Sequence, residues 1–212
     1  MPEEKIFIQS SGLRIEGLVD KSPGDKAVLV THPHPLYGGD MYNKVVESVM
    51  DAYGQKGYST LRINFRGVGQ SEGTYDQGIG EQEDVSAALT YLNELGKSSI
   101  DLAGYSFGAW VNALGLRNFE LAHRMIMVSP PVNFIDFSSL EYSSKIQLVI
   151  AGSADDIGPP AMIKNMLPTW NPDAEFKIIQ GADHFYWGKT GEIKMIIHDF
   201  LKIKGEGSEN NS

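Results

Sequence analysis

The five residues GYSFG at 104–108 constrain this chain more than any other stretch. The run before them, SSIDLA, is apolar and β-prone, and the run after them, AWVNALGL, reads as a helix. A serine at such a joint with glycine two residues to either side implies a cramped strand-to-helix turn, where side chains would collide with neighbouring backbone. That turn exposes the Ser106 hydroxyl and aims the following peptide N–H groups at the same point. Ser106 is therefore a candidate nucleophile, which requires a base, an acid to orient the base, and a sheet to carry them.

The pattern around the turn predicts that sheet. KIFIQ and LRIEGLV alternate apolar with polar, as in an antiparallel pair with one wet face. AVLVTH (27–32), YSTLRINF (58–65), the run 99–105, RMIMVS (124–129), IQLVIAG (146–152) and AEFKIIQ (174–180) read as further strands. Helical spacing fills 42–56, 81–95, 107–117, the segment opened by Pro159–Pro160, and the closing GKTGEIKMIIHDFLKI. Strands alternating with helical crossovers give an α/β fold with a mostly parallel sheet covered on both faces. One domain is expected over 1–204, with 205–212 (GEGSENNS) as a loose tail.

In such a sheet the loops after the carboxyl ends of the strands share one crevice. These loops carry HPHPLYGG, RGVGQSEG, Ser106, GSADD and GADHF. Of five histidines, only His184 follows a strand downstream of the serine, so it is the expected base; His123 and His198 lie in or beside helices. The acid is Asp155 in preference to its neighbour Asp156, with Asp136 and Asp183 as outside candidates. Serine, acid and histidine then suit acyl transfer, in which imidazole accepts the hydroxyl proton and the acid fixes its tautomer. An oxyanion hole needs two peptide donors. Phe107 supplies one, and since Pro33 and Pro35 have no N–H, His34 is the expected second, with Leu36 in reserve. The duller reading of HPHP is a stiff turn with structural imidazoles.

Composition excludes several alternatives. The chain has 212 residues, no cysteine and a net charge of −9, with no basic cluster. Disulfides and thiolate chemistry are excluded, and neither nucleic acid nor a membrane is an expected partner. No metal and no cofactor are implied. MPEEKIFIQ has acids where a signal peptide needs bases, so a cytoplasmic protein is expected. A single chain leaves a homodimer open.

The motifs HPHPLYGG…NKVV, INFRGVGQSEG, AGYSFGA, GSADDI and GADHFY, in this order, resemble those of the α/β-hydrolase superfamily and of its small capless bacterial serine hydrolases. The resemblance spans nearly the whole chain. It implies the α/β-hydrolase fold with an eight-stranded sheet, Ser106 on the elbow, Asp155 as acid, His184 as base and Arg66 as a structural brace. Only PPVNFIDFSSLEYSSK separates the strand at 124–129 from the next, room for one short helix and no cap. An open mouth is expected, with Leu36, Tyr37, Phe134 and Phe185 binding substrate and Phe107, Phe137 and Trp187 beside them. The expected activity is hydrolysis of esters of small or modest acyl groups through an acyl-enzyme. Amides, thioesters and a non-catalytic binding role remain as alternatives.

Overall fold

The computed structural model describes residues 3–209. Eight strands form one sheet: β1 (Glu4–Ser10), β2 (Leu13–Asp20), β3 (Lys26–Thr31), β4 (Ser59–Ile63), β5 (Ser99–Tyr105), β6 (Ala122–Val128), β7 (Ile146–Gly152) and β8 (Glu175–Ile179). Their spatial order is β1-β2-β4-β3-β5-β6-β7-β8. β1–β2 and β2–β4 pair antiparallel, and all later pairs are parallel. The helices are α1 (Lys44–Gly54), α2 (Ile79–Glu94), α3 (Phe107–Gly115), α4 (Pro160–Trp170) and α5 (Thr190–Glu209).

The unbroken apolar runs are explained by burial on both faces. In β3, Ala27 and Leu29 pack toward α2 and α3, and Val28 and Val30 toward α1 and α5. The first layer holds Val85, Leu89, Val111 and Trp170; the second holds Val45, Val49, Tyr53, Ile193, Ile197 and Phe200. A fully buried side chain of this size contributes about 1.5–3 kcal/mol, so the two layers hold the sheet rigidly beneath its loops. β1, at the sheet's edge, keeps the predicted alternation in its second half and leaves Phe7 exposed.

Two expectations change. The 129–145 segment forms turns and no helix: Phe134 and Ile135 both donate their N–H to the Pro131 carbonyl. At the other end, α5 continues through Glu209 where the sequence predicts a tail from 205. Extending an existing helix adds one bond per residue and needs no new nucleus. The last three residues of the expected tail, 210–212, lie outside the described residues.

Candidate active site

β5 sits beside the centre of the sheet and ends at Tyr105, so Ser106 emerges where the parallel strands deliver their loops. Its backbone has φ 53° and ψ −119°, a conformation that costs a non-glycine residue about 1–3 kcal/mol. Neighbours hold it there. The Ser106 N–H donates to Val128 O at 2.9 Å, and the Ser106 carbonyl accepts from Trp110 N. A Cβ at Gly104 would lie 2.5 Å from Ala109 N, and one at Gly108 2.7 Å from His32 O. Both flanking glycines are thus required by close approach of backbone, as the spacing predicts.

His184, in the loop after β8, meets this serine. Its Nε2 is 2.9 Å from Ser106 Oγ, and its Nδ1 lies 3.0 and 2.9 Å from Asp155 Oδ1 and Oδ2. All three residues are buried. With Nδ1–H donating to a carboxylate, the Nε2 lone pair is left for the serine hydroxyl. Oδ1 of Asp155 also accepts from the N–H groups of Ile157 (3.0 Å) and Gly158 (2.7 Å). Burial alone would raise the Asp155 carboxyl. The His184 hydrogen bond and charge, the Gly158 N–H and the Ser129 hydroxyl outweigh it and hold the group below the usual carboxylate range. Ser129 Oγ in turn shares a 2.6 Å hydrogen bond with the buried Tyr186 hydroxyl, and the Tyr105 hydroxyl donates to His184 O at 2.7 Å.

The other carboxylates are turned elsewhere. Asp156 is exposed and offers only its carbonyl, to Asn133. Asp136 binds Ser138, and Asp183 accepts from the Phe185 N–H. The structure brings Asp155, and none of these three, to His184.

HPHP divides into two roles. His32 is fully buried: its Nδ1 lies 2.6 Å from Pro33 O and its Nε2 accepts from Phe65 N at 3.0 Å. Burial lowers its pKa to about 4, leaving a neutral structural ring, as the duller reading has it. His34 instead lines a cleft of about 580 Å³ together with Ser106, Phe107, His184, Tyr37, Phe134 and Phe185. Arg66 forms the implied brace, donating from its peptide N–H, Nε and Nη2 to the buried Asp84 and reaching Glu83 at 3.2 Å.

This fold and side-chain set have known counterparts. A lidless α/β serine hydrolase of Xanthomonas campestris superposes with TM-score 0.86 at 28% identity, covering 95% of this chain and 94% of that one. An α/β serine hydrolase homologue of Coxiella burnetii superposes with TM-score 0.88 at 34% identity, covering 95% and 98%. The chain belongs to the α/β-hydrolase superfamily. No protein-family model matches it. An uncharacterized protein of Rickettsia prowazekii is 40% identical over 214 residues, covering 95% of this chain and 89% of that protein. As in the lidless relative, the eight-stranded sheet of this α/β hydrolase carries no cap, and the turns of 129–145 leave the cleft open. The relatives' class supports hydrolysis as the chemistry.

The hydrolase cleft departs from the sequence expectation at three side chains. Leu36 is 67% exposed and does not line it. Its N–H is also taken, by His34 Nδ1 at 3.2 Å, which removes it as the reserve oxyanion donor. Trp187 is 81% exposed and stands outside the lining. Phe137 is 2% exposed and stacks on Trp170 in the core, with ring centroids 5.3 Å apart. Sequence reasoning missed Asn43, Pro131, Ile135 and Ile157 in the lining. Asn43 had a signal, since it stands in the NKVV of a recognised motif, but helix capping already accounts for its side chain, which accepts from Val45 N. Among the described residues, no helix is long and apolar enough to cross a membrane, and no group of three or more His, Asp or Glu side chains is placed to hold a metal ion.

Proposed function

We propose that the chain is a serine esterase that cleaves carboxylic esters of small or modest, uncharged acyl groups. The observation that carries this reading is the 2.9 Å contact of Ser106 Oγ with His184 Nε2, with Asp155 bound at Nδ1. His184 takes the proton of Ser106 as Oγ attacks the ester carbonyl, and Asp155 steadies the imidazolium that forms. The oxyanion is held by the peptide N–H groups of Phe107 and His34, which have no protein acceptor among the described residues. His184 then gives its proton to the leaving alcohol, and a water that it deprotonates hydrolyses the acyl-enzyme.

The cleft supports the choice of acyl group. No Lys, Arg, Asp or Glu lines it, while Phe107, Phe134, Ile135, Ile157 and Phe185 do. A charged acyl group would lose hydration there without gaining a partner. The test is labelling with a fluorophosphonate, read by intact mass, beside turnover of p-nitrophenyl acetate and butyrate. Wild type gains one phosphonyl group and hydrolyses both esters; Ser106→Ala does neither. A wild-type protein that stays unlabelled and inert overturns the reading.

A further inference from the structure

The loop that crosses the cleft opposite His184 is built so that one peptide donor is left over. Pro33 and Pro35 have no N–H. The N–H groups of Tyr37 and Gly39 both donate to His34 O, at 3.1 and 3.0 Å, and that of Gly38 donates to Pro35 O at 3.1 Å. The N–H of Leu36 donates to the His34 side chain at Nδ1. Within 33–39, among the described residues, only the His34 N–H has no protein acceptor. The side chain and the carbonyl of one residue thus take three of the competing donors, and that residue, which lines the cleft, keeps its own N–H without a protein acceptor.

The imidazole is seated for this task. Its ring packs against Phe107, Tyr37 and Tyr75, with centroids 4.7, 4.9 and 5.1 Å away. Because Nδ1 accepts, the neutral ring carries its proton on Nε2, which faces the Tyr75 hydroxyl at 3.4 Å. Burial lowers its affinity for a second proton, so Nδ1 remains an acceptor at neutral pH.

We propose that the His34 imidazole is a positioning residue for the oxyanion hole: by accepting the Leu36 N–H it holds the Pro33–Gly39 loop in the shape that keeps the His34 peptide N–H available to the developing oxyanion. The proposal rests on the serine-esterase reading. It goes beyond it by giving a role to a side chain that neither attacks nor carries the reacting proton.

Three variants separate this role from others. His34→Asn places Oδ1 where Nδ1 stands and can make the same i to i+2 bond that Asp40 makes to Tyr42 N and Asn43 to Val45 N. His34→Gln places its polar atoms nearer the Nε2 position, and His34→Ala has neither. Each is assayed with p-nitrophenyl butyrate, with melting temperature as the check on folding. His34→Ala is expected to lose about tenfold in kcat with KM nearly unchanged, since an oxyanion donor is displaced and not deleted. His34→Asn is expected to recover most of the loss, and His34→Gln little. A folded His34→Ala within twofold of wild type overturns the proposal. So does rescue by Gln without rescue by Asn, which would assign the effect to the Nε2 edge. Fluorophosphonate labelling of the wild type runs in parallel. If it labels and His34→Ala is unimpaired, only this proposal fails; if it does not label, the esterase reading fails first.

Discussion

His184 Nδ1 lies almost equally far from both oxygens of Asp155, at 3.0 and 2.9 Å, and one of those oxygens already holds two peptide N–H groups. The imidazole is therefore oriented by a carboxylate that is itself fixed by backbone. Changing Asp155 to Asn keeps the shape and reverses the polarity of one atom. An amide N–H facing Nδ1 favours the tautomer that carries its proton on Nε2, where it cannot accept from Ser106. Asp155→Asn should lower kcat by about 10³–10⁴-fold while the protein stays folded. Turnover of p-nitrophenyl butyrate with circular dichroism checks both halves, and Asp156→Asn should leave kcat within a few-fold.

The strained elbow gives a prediction on stability. Ser106→Ala and Ser106→Gly both remove Oγ, and both are expected to abolish turnover. Only glycine adopts φ 53° without cost, although it also gains entropy in the unfolded chain, about 0.4–1 kcal/mol. Relief of about 1–3 kcal/mol exceeds that loss, so Ser106→Gly should be the more stable of the two by about 1 kcal/mol. Urea denaturation of the pair measures the difference. Gly104→Ala should act in the opposite direction, because its new methyl would meet the Ala109 backbone at 2.5 Å. A loss of about 1–3 kcal/mol is expected there.

What was legible in the sequence divides along physical lines. The sheet could be read because burial on both faces leaves short unbroken apolar runs rich in β-branched residues, such as that of β3. Ser106 and His184 could be read because a cramped turn and a post-strand loop leave glycine and order as traces. The expected mouth was wrong at Phe137, Trp187 and Leu36 because an aromatic or aliphatic residue in a loop carries no mark of its direction. Phe137 turns to Trp170 and Trp187 to solvent, and neither choice has a local cause in the sequence. That Asp155 and not Asp156 meets His184 goes with the turn at Ile157–Gly158, whose N–H groups take hold of the first.

The buried His32 predicts a pH dependence of stability. The unfolded chain takes up this proton near pH 6.5, the folded chain near 4. Between those values the unfolded state binds more protons, so stability rises with pH across the window and falls as pH drops. The loss attributable to this ring is about 3 kcal/mol by pH 4, with little further change below. Asp155, held below its ordinary range, adds a loss in the same direction, but only as pH falls through the carboxylate region. His32→Gln removes the first contribution and keeps the second. Its stability, measured by urea denaturation from pH 7 to 4, should therefore decline less steeply than that of wild type, whatever its absolute value.

The corrected lining of the cleft predicts which side chains select the acyl group. Phe134 lines the cavity with its ring largely open to water, so an acyl chain that reaches it removes apolar surface from solvent on both partners. Each buried methylene is worth about 0.8 kcal/mol, and butyrate carries two more than acetate. Phe134→Ala should then raise KM for p-nitrophenyl butyrate several-fold and change acetate little, so that the ratio of the two kcat/KM values falls. Trp187 is more exposed than Phe134 and lies outside the lining, so Trp187→Ala should leave that ratio unchanged. The ratio is the informative quantity because general damage to the site lowers both esters together. Equal effects of the two substitutions on it would mean that the acyl chain runs along the rim and not into the cleft.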